Sequence, residues 1–274
     1  MTAAQTSRIR VGIGGWNFEP WRNNFYPAGW PQARELEYAS RRLSAIEINS
    51  TYYSSQSPAS FARWRAQTPD DFMFSLKASR FATNRRVLAE AGESVQRFVH
   101  SGIAELGDKL GPIVWQFAPS KRFDAEDFAA FLALLPAAVD GIALRHALDV
   151  RHASFLCPEY LALARRHGVA SVFTDSDDYP SFADLSGDFV YTRMMRTQAE
   201  LPEGCTPQAL DAIAACAQAW HAGHEPAALP RVQAPAPATA LTTAPRDVFM
   251  FFISGAKERA PAAAMALEQR LRPD

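Results

Sequence analysis

Ala45-Ile46-Glu47-Ile48-Asn49 reads as a short strand with two unlike faces: Ile46 and Ile48 fall on one side, Glu47 and Asn49 on the other. The aliphatic side suits a layer of helices, which leaves a carboxylate and an amide pointing the opposite way. Seven further apolar runs of strand character begin near Ile9, Phe72, Pro112, His146, Ala170, Phe189 and Asp247, and most are followed by a helix-like stretch. Proline in a first helical turn marks helix starts at Pro31, Pro158 and Pro207, Thr206 supplies an N-cap, and Gly168 and Gly223 mark stops. Eight strands alternating with helices over about 250 residues predict an α/β fold, a single (β/α)8 TIM-type barrel spanning residues 1–274. A doubly wound sheet usually spends fewer strands.

Working outward, the segment 225–246 between the seventh helix and the eighth strand is rich in alanine and proline. It is expected to be a flexible surface loop at the end of the barrel away from chemistry. The chain is 48% hydrophobic and 21% charged, an ordinary globular composition. Its longest apolar runs fall far short of the roughly 20 residues needed to cross a bilayer, so no membrane span is expected. The polar start, Met1 to Arg8, lacks a secretory apolar stretch, which makes a cytoplasmic location the expectation. Cys157, Cys205 and Cys216 form no C-x-x-C pair, and reduced, buried thiols are expected.

Charge narrows the partners. The net charge is −1, with 17 basic against 15 acidic residues up to position 150 and 11 against 14 beyond it. Neither half is a polycation, so bulk duplex binding, which needs a clustered basic surface, is disfavoured.

Strand parity sorts the polar residues. In the third strand Met73, Ser75 and Lys77 oppose Phe72, Phe74 and Leu76; in the fifth, Asp149 and Arg151 oppose Leu148 and Val150. Extending the count places Trp16, Gln116, Asp175 and Arg193 inward at the C-terminal ends of the first, fourth, sixth and seventh strands. Inward charges at one end of a barrel must pair with each other or with a ligand. Two explanations stand: a closed ion-pair network that fills the axis, or a binding cup at the end where barrels place active sites. Distribution over many strands favours the cup.

Glu47, Asp149 and Asp175 bring three negative charges, against positive Lys77, Arg151, Arg193 and Arg196. Interleaved cations disfavour a divalent-metal site, even with His152 nearby, and no metal or cofactor is expected. A small anionic ligand fits better. Ile253-Ser254-Gly255-Ala256-Lys257 after the eighth strand leads to a helix with an early Pro261, so backbone N–H groups and Lys257 can surround a phosphate or carboxylate; a plain tight turn reads the same residues equally well. The first loop crowds Trp16, Phe18, Trp21, Phe25, Tyr26 and Trp30 among Asn17, Arg22 and Asn24. It reads either as a cover over the mouth or as an internally packed aromatic plug, and Tyr52 and Tyr53 extend either arrangement.

Several motifs in order resemble the DUF72 or YecE-like family. They are Gly15-Trp16-Asn17-Phe18-Glu19-Pro20-Trp21-Arg22 with Phe25-Tyr26-Pro27, Glu47-Ile48-Asn49-Ser50-Thr51-Tyr52-Tyr53, and Phe74-Ser75-Leu76-Lys77-Ala78. Leu110-Gly111-Pro112 with Gln116-Phe117, Asp149-Val150-Arg151-His152 with Ser154-Phe155, Asp175, Tyr191-Thr192-Arg193 and the ending around Phe252 follow. The resemblance covers nearly the whole chain and implies a TIM-type barrel of unestablished activity. The chain departs from the family where Thr83-Asn84 replaces a threonine-histidine pair, Asp149 replaces a glutamate, and Phe252-Ile253-Ser254 replaces Phe-Asn-Asn.

The leading expectation is a metal-independent enzyme for a small or terminal anionic substrate. Glu47 would be the general acid or base, Asp149 its orienting partner, and Lys77, Arg151 and Arg193 would stabilise negative charge, with Asp175 among the catalytic candidates. Trp16, Trp21, Arg22, Asn49, Tyr52, Gln116, His152, Arg196 and Lys257 complete the expected substrate contacts. Lys77 is alternatively a Schiff-base lysine. A second function is a module for nucleic-acid ends or single strands, stacking on Trp21, Trp30, Tyr52 and Tyr53 with Arg80, Arg85 and Arg86 on phosphates. The third is a non-catalytic scaffold barrel.

Overall fold

Eight parallel strands close on themselves in the computed structural model, which describes residues 8–233 and 244–272. We label them β1 (Ile9–Gly14), β2 (Ala45–Ile48), β3 (Met73–Lys77), β4 (Leu110–Gln116), β5 (His146–Asp149), β6 (Ala170–Thr174), β7 (Val190–Met194) and β8 (Val248–Phe252). Each strand pairs with its neighbours in chain order, and β1 pairs with β8 to complete the ring. This is a (β/α)8 barrel of the TIM type, as the spacing of the apolar runs predicts. An additional two-stranded hairpin, Ala138–Val139 with Ile142–Ala143, precedes β5.

The local signals act where the sequence puts them. Pro158 and Pro207 open the helices Pro158–Arg166 and Pro207–His221, and Thr206 caps the second by accepting from the Ala209 N–H at 3.2 Å. Pro31 instead precedes a 3₁₀ turn, Gln32–Arg34, that runs into the helix Glu35–Ser40. Gly168 and Gly223 end their helices at positive φ, 62° and 88°. Unlike its neighbours, β6 is followed by no helix: residues 175–189 return to β7 as irregular chain, with Pro180 and Gly187 among them.

Inside the barrel, small Gly12, Ala45, Ala147 and Ala170 offset large Met73, Phe189, Tyr191, Phe249 and Phe251. A side chain at Gly12 would strike the Ala45 carbonyl oxygen, so glycine there lets β1 and β2 approach. The outward residues of the strands, such as Ile46, Phe74, Trp115 and Leu148, join the helices in the larger core.

Of the loop expected over 225–246, residues 234–243 lie outside the described residues. The part before them is pinned rather than loose: the Asp184 carboxylate accepts from the Val232 and Gln233 N–H groups at 2.8 and 3.0 Å, and Glu225 pairs with Arg231. The three cysteines are free thiols, each partly exposed rather than buried as expected. Among the described residues, no helix is long and apolar enough to cross a membrane.

Candidate functional site

The inward alternation of β2, β3, β5 and β7 delivers Glu47, Lys77, Asp149 and Arg193 to one end of the barrel, where each strand reaches its C-terminal residues. Arg193 is the hub. Its Nη2 donates to Glu47 Oε1 at 3.0 Å, and its Nη1 donates to Asp149 Oδ2 at 2.6 Å and to Gln116 Oε1 at 2.8 Å. Arg151, two residues past β5, donates from Nη2 to the same Gln116 oxygen at 2.9 Å and to Asp149 Oδ2 at 3.1 Å. Burial opposes the charge on Arg193, but Glu47 and Asp149 outweigh it and hold the guanidinium above its ordinary value.

Lys77 is different. Among the described residues its Nζ has no hydrogen-bond partner and no carboxylate within ion-pair distance; it lies 4.2 Å from the centroid of the Tyr52 ring. Only 7% of the residue is exposed. Burial first, then the nearby Arg193, pulls the ammonium down to about 8, against the pull of Glu47 and Asp149. Lys257 faces the same region: its Nζ lies 4.7 Å from the Phe18 ring, and burial lowers its pKa while the charge of Glu47 opposes the shift.

Behind Glu47 lies a second layer of oxygens that sequence reasoning did not single out. Tyr191 Oη lies 2.7 Å from Glu47 Oε2 and 2.7 Å from Ser75 Oγ, which lies 2.7 Å from the Pro112 carbonyl oxygen. Tyr191 and Ser75 share the inward parity of Arg193 and Lys77, the signal by which they could have been found. Burial and the charge of Glu47 push the Tyr191 phenol well above its ordinary value.

Other expected site residues divide between the ring and its surroundings. Asn49 belongs near the mouth, its Nδ2 reaching the Glu47 carbonyl at 3.4 Å. Trp16 does not point into the cup. Gly15, at φ 77°, breaks the alternation of β1, and the indole packs edge-on against Trp64 at 5.2 Å and Phe74 at 6.4 Å on the helix side. Trp21 is fully buried, with Nε1 donating to the Lys257 carbonyl at 2.8 Å, so it offers no face for stacking. Arg22 is held by the buried Glu35 carboxylate at 2.9 Å. The first loop is thus the packed plug rather than an open cover. His152 caps the turn Ala153–Phe155, its Nδ1 accepting from the Ser154 N–H at 3.1 Å, and is no ligand of the ring.

Asp175 and Arg196 are corrected outright. Val172 fills the barrel interior, so Thr174 shares its side and Asp175 takes the opposite one; the same count from Arg193 turns Arg196 outward. Both line a separate cavity of about 360 Å³ beside the helix Pro207–His221, with Phe173, Met194, Trp220 and Met250. Asp175 accepts from the Met195 N–H, and burial raises its carboxyl to about 6. Arg196 pairs with exposed Asp177. Among the described residues no group of three or more His, Cys, Asp or Glu is placed to hold a metal ion.

The fold and the ring together define a (β/α)8 barrel whose C-terminal mouth is floored by buried, mutually paired charges, with Lys77 and Lys257 beside them and neither ammonium paired with a carboxylate among the described residues. The chain belongs to the family described as "Protein of unknown function DUF72", whose model matches residues 10–274. It is 27% identical over 176 residues to the UPF0759 protein YecE of Escherichia coli O157:H7 and of Escherichia coli K12, covering 61% of this chain and 59% of the length of those relatives. A DUF72 family protein of Thermotoga maritima superposes with a TM-score of 0.72 over 96% of this chain and 98% of its own, at 21% identity. One of Enterococcus faecalis V583 gives 0.69 over 96% and 95%, at 15% identity. These structural likenesses carry the fold alone.

Proposed function

We propose that the barrel mouth binds a small or terminal anionic group, a phosphate or carboxylate, as part of an enzyme active site. The observation that carries this reading is the unpartnered Lys77 ammonium. Lys77, Arg151 and Arg193 oppose only Glu47 and Asp149, and Lys257 faces the same region, so the mouth is short of negative charge. An anion at Nζ supplies that charge. Arg151 and Lys257 stand close enough to the mouth to share it, while Arg193, closed to solvent and tied to both carboxylates, fixes the ring's geometry from below. Asp149 orients Arg151 and Arg193. Glu47 is the candidate acid or base, working from behind Lys77 rather than as an exposed side chain.

The test is thermal unfolding at pH 7 with increasing inorganic phosphate or acetate at constant ionic strength, in wild type and Lys77→Met. Anion binding to the folded state raises Tm with concentration, and the rise should vanish in K77M. No response in wild type, or an equal response in both proteins, would overturn the proposal. The second of those patterns would also favour a purely structural ring, the reading supported by the full internal pairing of Glu47 and Asp149.

A further inference from the structure

We infer that Tyr191, Ser75 and the Pro112 carbonyl form a proton-accepting chain behind Glu47, one hydrogen short while Glu47 is a carboxylate and complete once it carries a proton. The inference takes the role of Glu47 as acid or base from the function proposed above, and gives that role a physical device.

Four oxygens in a row, Glu47 Oε2, Tyr191 Oη, Ser75 Oγ and Pro112 O, make three contacts of 2.7 Å each. A contact that short between two oxygens is stable only with a hydrogen in it. The carbonyl has none to give, and a phenol and an aliphatic hydroxyl have one each. With Glu47 ionised, two hydrogens serve three contacts. If Tyr191 donates to Glu47 and Ser75 to Pro112, the lone pairs of the two hydroxyl oxygens face each other across 2.7 Å. If Ser75 turns to Tyr191 instead, the contact with Pro112 is left empty. Glu47, Ser75 and Tyr191 are all fully buried, so bulk water does not repair the shortage from outside.

A proton on Glu47 Oε2 removes the conflict in one concerted turn. Oε2–H donates to Tyr191, Tyr191 to Ser75, and Ser75 to the carbonyl, while Oε1 still accepts from Arg193. No bond other than the O–H at Glu47 is made, and the proton comes from the substrate, whose bond to that proton is the one that breaks. The charged groups around Glu47 pull the other way. Arg193 from β7, Lys77 from β3 and Lys257 after β8 favour the carboxylate, with Asp149 and Arg151 of the β5 end acting beyond Arg193. The cations and the hydrogen-short chain therefore oppose each other over a single proton, the condition for a group that both takes and returns one. Ser75 and Tyr191 act through Glu47 and are positioning residues.

The test is a double-mutant cycle on stability, which needs no ligand. Glu47→Gln places an N–H where the acid's O–H would be, completing the chain without a proton, and its remaining oxygen keeps the contact with Arg193. Ser75→Ala should therefore cost more in the E47Q background than in wild type at pH 7, by about tenfold in the unfolding constant, the scale of one net hydrogen bond. An equal or smaller cost in E47Q overturns the inference. Should E47Q fail to fold, the same comparison is made with Tyr191→Phe, which removes the surplus oxygen and so relieves the shortage with Glu47 ionised: the S75A cost should be larger in Y191F than in wild type at pH 7, and an equal or smaller cost overturns the inference. Neither readout depends on the anion response at Lys77, so failure here and failure of the proposed function are distinguishable.

Discussion

Arg193 Nη2 and Glu47 Oε1 meet 3.0 Å apart at the top of the barrel interior, with neither side chain open to solvent. Two buried ions at that distance attract strongly, but each has given up its hydration, so the pair holds the ring together only while both members are present. Asp149 lies 2.6 Å from the same guanidinium and is also paired with Arg151 at 3.1 Å. Among the described residues, Arg193→Ala takes the only guanidinium from buried Glu47 and leaves Asp149 to Arg151 alone, and the expected loss is about 3–5 kcal/mol. Urea unfolding at pH 7 measures it. A loss below about 1 kcal/mol, the range of exposed ion pairs, would show that the carboxylates find other partners.

Lys77 sets a pH dependence of opposite sense to that of a paired lysine. Its folded value, about 8, lies below the value of about 10.4 expected in the unfolded chain. The unfolded state therefore binds more protons between pH 8 and about 10.4, and Lys77 makes stability rise with pH across that window. Below pH 8 the buried ammonium costs the fold about 3 kcal/mol; above the window the cost is gone. Lys77→Met removes the charge and keeps an apolar stem beside Tyr52. K77M should be more stable than wild type at pH 7, with the difference closing by pH 10.5. A difference independent of pH would contradict this account.

How far the ring could be read in advance depended on where the strand alternation holds. Glu47, Lys77, Asp149, Arg151 and Arg193 sit within or just past regular strands, so counting by twos from their aliphatic neighbours places all five. Trp16 lies beyond Gly15, whose positive φ turns the chain and makes the count meaningless. Asp175 failed for another reason: the phase of β6 has to be taken from Val172, but Val172 and Phe173 are both apolar and the sequence shows no contrast between them. Tyr191 and Ser75 were on the correct face throughout. A hydroxyl inside a barrel carries no charge to draw attention, and its importance appears only when its hydrogen-bond partners are counted.

The aromatic loop gives a stability prediction. Trp21 is enclosed by Phe18 and Phe25, at ring distances of 5.4 and 6.4 Å, and its Nε1 donates to the Lys257 carbonyl across the β1–β8 closure. Trp21→Phe keeps most of the apolar contact but removes one of two donors to that carbonyl, which still accepts from the Ala260 N–H, for an expected loss of about 1 kcal/mol. Chemical unfolding checks the magnitude. An unchanged midpoint would mean that the loop is looser than its packing indicates and that the Trp21 face is available to a ligand after all.

Asp175 offers the reverse pH signature to Lys77, from a cavity outside the ring. Its carboxyl titrates at about 6 because burial disfavours the charge, and the Met195 N–H and the charge on Arg196 only partly offset that. The unfolded value is about 3.9, so the folded state binds more protons between pH 4 and 6 and stability falls as pH rises through that range. Above pH 6 the ionised carboxylate costs about 3 kcal/mol, reduced by whatever water reaches its open edge. Asp175→Asn preserves an oxygen for the Met195 N–H and cannot ionise. D175N should therefore match wild type near pH 4 and exceed its stability at pH 7, in thermal unfolding across a pH series. Because Asp175 faces away from Lys77, D175N should also leave the Tm response to phosphate intact. Loss of that response in D175N would place Asp175 back in the barrel mouth, against the strand parity on which its reassignment rests.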